Sequence, residues 1–83
     1  MNAQRADELV RAALMQAVPG PEVATVATDE PLRDALEMDS LDFLAFVENL
    51  SAAAGVRIDE DDYPQLSSIN ACVSFLSTSA MTT

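Results

Sequence analysis

The apolar residues of this chain recur at steps of three and four in three separate blocks, and nowhere do they alternate with polar ones. That period belongs to helix faces, whereas a strand buried on one side needs a period of two. From Ala3 to Ala17, the residues Ala6, Leu9, Val10, Ala13, Leu14 and Ala17 fall on one stripe, which Pro19 and Gly20 then end. A second helix is predicted from about Ser40 to Ala54, with Phe43, Phe46, Val47, Leu50 and Ala54 facing inward and Gly55 as the stop. Leu41 and Leu44 sit beside that stripe and extend apolar surface toward the helix start. A last helix follows Ser67 or Ser68 as N-cap, with Ile69, Cys72, Val73 and Leu76 on one face.

The stretches between these helices are less regular. "VPGPEVATVATDEPLRDALEMD", residues 18 to 39, holds three of the four prolines and keeps no sustained period. A connection of this length inside a small domain is usually functional or hides a local turn. "DEPLRDAL" is the candidate turn, with Asp29 as its cap, Pro31 in its first turn, and Leu32 and Leu36 pinning it to the core. "VRIDEDDYPQL" predicts one further short helix across Pro64, seated by Ile58, Tyr63 and Leu66. The expected fold is all-α: a small four-helix bundle of three longer helices and one short one, with a long first loop. Residues 1 to 83 are expected to form one domain, with a core over about 3 to 77 and a frayed tail over 78 to 83.

Charge and residue inventory then exclude most chemistries. Fourteen Asp and Glu against four Arg and no Lys give a formal charge of -10. Such a surface repels phosphate backbones and anionic lipid and attracts basic protein patches. No window approaches eighteen apolar residues, so no membrane insertion is expected, and a cytoplasmic location is the simplest expectation. A domain this small buries only about 60% of its unfolded surface, which leaves little room for a deep catalytic cleft. The size and the initial methionine favour a free-standing protein, expected to be a monomer.

The chain has no histidine and one cysteine, so neither an intramolecular disulfide nor a zinc site of the usual ligands can be assembled. "DEDDYPQLSSIN" begins like a calcium loop, but Pro64 stands where the sixth-position glycine belongs and Asn70 where the bidentate Glu belongs. A solvated acidic turn is the better description. Two distant glycines without a lysine make no phosphate-binding loop. Cys72, on an apolar face and far from positive charge, is expected to be a buried small hydrophobe rather than a reactive thiol.

Ser40 remains, between two aspartates at the start of the second helix. A serine nucleophile needs an adjacent base, usually His or Lys, and this chain has neither. The unpaired N–H groups and the dipole of a helix start tolerate a negatively charged ester there. Position alone is also satisfied by the plainer role of an N-cap at Asp39 or Ser40.

"LEMDSLDFLAFVENL" strongly resembles the prosthetic-group site of the acyl carrier protein family, in which an Asp-Ser-Leu triplet follows a long loop and opens the second of four helices. The likeness runs from about Leu9 to Leu76 in order and spacing, through Ile58 and its acids to "LSSINACVSFL". It implies a bundle of the acyl carrier type and a serine, Ser40, esterified by 4'-phosphopantetheine drawn from coenzyme A. It implies no catalytic residue and no metal. The partners implied are a phosphopantetheinyl transferase and acyl-loading and acyl-processing enzymes with basic docking patches. Asp39, Leu41 and Asp42, with Glu37 and Glu48, are then the expected partner-facing residues, in fatty-acid, lipid or polyketide-type biosynthesis. A peptidyl or aminoacyl carrier, which typically has a glycine-rich site, and an unmodified acidic adaptor are the alternatives.

The chain also departs from that family. Glu37 stands where glycine is usual, Glu48 where an apolar residue often lines the arm, and Asp59 where proline is frequent. Ala45, Ser51 and Ala52 replace positions that are often acidic in fatty-acid carriers.

Overall fold

Helix α1, Ala3–Ala17, begins where the Asn2 side chain accepts the Arg5 N–H at 2.7 Å. Asn in this role satisfies one of the donors that a helix start leaves unpaired. The computed structural model describes residues 2–18, 20 and 22–81, so Pro19, expected with Gly20 to end the helix, lies outside the described residues. Val18 is the C-cap, its N–H donating to Leu14 O. The predicted stripe is the buried face: Ala6, Val10, Ala13 and Leu14 are buried, and Leu9 and Ala17 pack at its margin.

The long connection is more structured than its sequence suggests. It contains two single turns, α2 (Glu22–Thr25) and α3 (Leu32–Ala35). Val23 and Val26 of the first part and Leu32 and Leu36 of the second are buried. Periodicity cannot reveal elements of one turn, because a single turn contributes one or two inward residues. Asp29 does not cap α3 as expected. Pro31 holds the N-cap position with no side-chain cap, and Leu32 N–H donates to Ser67 O at 2.8 Å. A second tie, from Asn70 N–H to Thr28 O at 2.9 Å, fastens the loop to the last helix. Arg11 adds a third by donating to Val23 O.

Helix α4, Ser40–Ala54, matches its predicted bounds, and Gly55 closes it in the left-handed conformation at φ 66°. Phe43, Phe46, Val47 and Leu50 are buried, while Ala54 is half-buried. Glu60–Leu66 is a 3-10 helix across Pro64, the short element expected there, with Leu66 fully buried. Its acids are partly explained by its own start, where the Asp62 carboxylate accepts Asp59 N–H at 3.0 Å.

Helix α5, Ile69–Met81, starts on Ser68, whose hydroxyl accepts Ala71 N–H at 3.1 Å. Of the two serines considered for this cap, Ser68 serves. The helix is described through Met81, inside the stretch 78–83 expected as a tail, and Thr82 and Thr83 lie outside the described residues. No Gly or Pro interrupts it, and Ala and Met are good helix formers. Helix α1 packs against both α4 and α5, with the 3-10 helix against α5, around a core centred on Phe46, Leu14, Leu32, Leu50, Leu66 and Ile69. Among the described residues the fold is all helical, as expected, and no helix is long and apolar enough to cross a membrane.

Candidate functional site

The chain enters the site through a left-handed residue. Glu37 has φ 52°, a region that L side chains other than Asn and Asp rarely adopt. This is the position where the resemblance implies a glycine, and the backbone here takes a left-handed turn with a side chain on it. Met38 follows and is buried, its N–H donating to Arg33 O at 2.9 Å, so the turn is held from both sides.

Asp39 takes the N-cap. Its carboxylate accepts Asp42 N–H at 2.8 Å, and the Asp42 carboxylate reaches back to Asp39 N–H at 3.4 Å, a reciprocal capping box. Of the two residues considered for capping, therefore, Asp39 serves and Ser40 does not. Ser40 is the first helical residue and is exposed. Its hydroxyl is left uncommitted except for a long contact, 3.5 Å, with a guanidinium nitrogen of Arg33.

Arg33 was not singled out from the sequence. It lies seven residues before Ser40 inside the irregular loop, and only the α3 turn brings the two together. Its guanidinium carbon lies 5.6 Å from the centre of the Phe43 ring. Phe43 is buried, as favoured from sequence, and packs edge-on to Tyr63 at 5.5 Å and tilted to Phe46 at 6.0 Å. Pro31, Arg33, Phe43, Tyr63 and Pro64 line a mostly apolar recess of about 350 Å³ on this side of the molecule.

The other expected surface residues lie just before α4 and along it. Glu37 and Asp39 are exposed, and Asp42 is half-buried by its part in the cap. Leu41 is 76% exposed and Leu44 40%, large apolar side chains left facing solvent near the helix start. Glu48 is exposed and lines a second cleft of about 380 Å³ with Leu44, Val47, Ser51, Ile58 and Tyr63. Cys72 stands apart, fully buried among core residues. Burial raises its thiol from the ordinary 9.0 to about 12, so it stays un-ionised at neutral pH.

Geometry thus gathers, at one end of α4, an uncommitted serine hydroxyl, two aspartates locked in a cap and two exposed leucines. The family model for the phosphopantetheine attachment site matches residues 8–76, a span that contains all of them. No curated protein matches the chain significantly.

Proposed function

The chain belongs to the phosphopantetheine attachment site family, and from that premise we propose that it is an acyl carrier protein whose arm is attached at Ser40. As a member of the family it carries a covalently attached 4'-phosphopantetheine. It is a carrier and not a catalyst, and is itself the substrate of a phosphopantetheinyl transferase. The arm supplies a terminal thiol that holds cargo as a thioester, which is chemistry the polypeptide lacks.

One observation carries the assignment of Ser40: Asp39 does the capping, so the serine hydroxyl faces solvent at a helix start with no structural duty. The residues present fit the group, since an exposed hydroxyl is open to an enzyme and the helix dipole favours an anion there. Attachment forms the bond from Ser40 Oγ to the β-phosphorus of coenzyme A. It breaks the pyrophosphate bond, and adenosine 3',5'-bisphosphate leaves with the electron pair. The serine proton is assigned to a base on the transferase, because this chain has no histidine or lysine and the adjacent Asp39 and Asp42 carboxylates are engaged in the cap.

Acyl cargo is favoured over aminoacyl cargo by the acidic "EMDSLD" in place of a glycine-rich site. Leu41 with Asp39, Asp42, Glu37 and Glu48 form the docking face, apolar contact ringed by charge that steers basic enzyme surfaces. We assign this carrier to fatty-acid, lipid or polyketide-type biosynthesis, acting as a cytoplasmic monomer with residues 1 to 83 as a single domain. Digestion after Arg33 and Arg57 tests the site, because the arm is expected on the peptide between them and on Ser40 rather than Ser51. Loading the arm-bearing protein tests the class. It should accept acyl groups from acyl-transferring enzymes, and a preference for aminoacyl groups from adenylating enzymes would overturn the acyl assignment.

A further inference from the structure

Resting on Ser40 as the attachment point, we propose that Arg33 is the counter-ion of the arm's phosphodiester and fixes where the arm starts. The chain has four arginines. Arg5 pairs with Glu8, Arg11 with Asp7 and Arg57 with Asp59, at 3.6, 2.9 and 3.2 Å. Among the described residues Arg33 alone makes no ion pair, in a protein with more than three acids for every arginine. Among the described residues its one polar side-chain contact is Ser40 Oγ, at 3.5 Å.

A neutral hydroxyl at that distance is a poor partner for a guanidinium. A phosphodiester on the same oxygen is a good one. The phosphorus lies one bond beyond Oγ and the two non-bridging oxygens that share its negative charge one bond further, within reach of a planar fork that matches them. The fork is also pre-oriented, because it lies over the ring of Phe43, and Phe43 is itself packed against Phe46 and Tyr63.

Electrostatics favour such a partner. Modification adds a negative charge beside Asp39 and Asp42, with Glu37 just before them in the chain, and Arg33 is the cation whose contact with Ser40 places it there. Arg33 also walls the mostly apolar recess with Pro31, Phe43, Tyr63 and Pro64, and the Asp34 carboxylate on the same wall adds to the negative charge that Arg33 offsets. A phosphate paired with it starts the arm at the lip of that recess. Arg33 and Ser40 are both exposed, so the pair is weak individually and sensitive to salt.

The test compares unmodified and fully modified protein, with modification followed by intact mass, using nitrogen-detected arginine Nε–H resonances and the phosphorus resonance of the arm. At low salt the Arg33 resonance is expected to move on modification while those of Arg5, Arg11 and Arg57 stay. The shift should shrink in concentrated salt, and the phosphorus resonance should differ between wild type and Arg33→Gln but not between wild type and Arg57→Gln. An Arg33 resonance that does not move on modified wild type, or a phosphorus resonance indifferent to Arg33→Gln, overturns the proposal. The wild-type arginine signal decides the matter even if Arg33→Gln is modified poorly. Failure of the wild type to gain mass is a different result, because it removes the attachment itself rather than the role of Arg33.

Discussion

The Asp39 carboxylate caps α4, a role that can be measured without any partner enzyme. Removing the cap by Asp39→Ala is expected to lower stability by about 1 kcal/mol, read by denaturant unfolding, because one orphan donor of α4 loses its acceptor. Glu37 offers the opposite sign. A non-glycine residue in the left-handed region costs about 1–2 kcal/mol, and glycine relieves that while adding about 0.5–1 kcal/mol of unfolded-state entropy. Glu37→Gly is therefore expected to be neutral or to stabilise by up to about 1 kcal/mol, and a loss beyond that would contradict the strain. Cys72 predicts a pH dependence. Its folded thiol titrates near 12 and its unfolded thiol near 9.0, so the contribution is fully present below pH 9 and is lost as pH rises toward 12. Between those values the unfolded chain binds fewer protons, and stability should fall by up to about 1.4 kcal/mol per pH unit. Wild type and Cys72→Ala compared over that range isolate the slope, which the variant should lack. The serine, its flanking acids and the buried cysteine were all legible in the sequence. What was not legible was the division of labour between Asp39 and Ser40, which depends on the direction of one carboxylate.

At the scale of elements, legibility followed length. Helices α1 and α4 have their predicted bounds at the described residues because fifteen residues repeat an apolar stripe several times. The single turns α2 and α3 repeat nothing, and they are held by partners far along the chain, Leu32 to Ser67 and Thr28 to Asn70. Arg33 went unnoticed for the same reason, since its position depends on α3. The stop of α4 was legible because it rests on a residue type. Gly55 has φ 66° and no atom beyond its chain neighbours within 4 Å of an added Cβ, so Gly55→Ala isolates the backbone term. It should destabilise by about 1 kcal/mol in a thermal or denaturant titration. A neutral result would mean that the turn after α4 adapts.

For the molecule as a whole, a small apolar core works against a large excess of negative charge. A domain of this size has a stability of about 4–12 kcal/mol at the usual values per residue, and truncating a fully buried aromatic costs about 3–5 kcal/mol. Phe46→Ala is accordingly expected to remove about 3–5 kcal/mol of that stability, read as a large drop in the denaturant midpoint and the melting temperature. Self-repulsion at a charge of -10 should weaken as salt screens it, so the melting temperature is expected to rise from low ionic strength to about 0.2 M salt. The chain also has no histidine or lysine and its one thiol is buried, which suits a protein whose reactive thiol is added by another enzyme. Intact mass, before and after incubation with coenzyme A and a broad-specificity phosphopantetheinyl transferase, tests that claim most directly. Wild type should gain one phosphopantetheinyl group and Ser40→Ala none. An unchanged wild-type mass, or a gain that persists in Ser40→Ala, would contradict it.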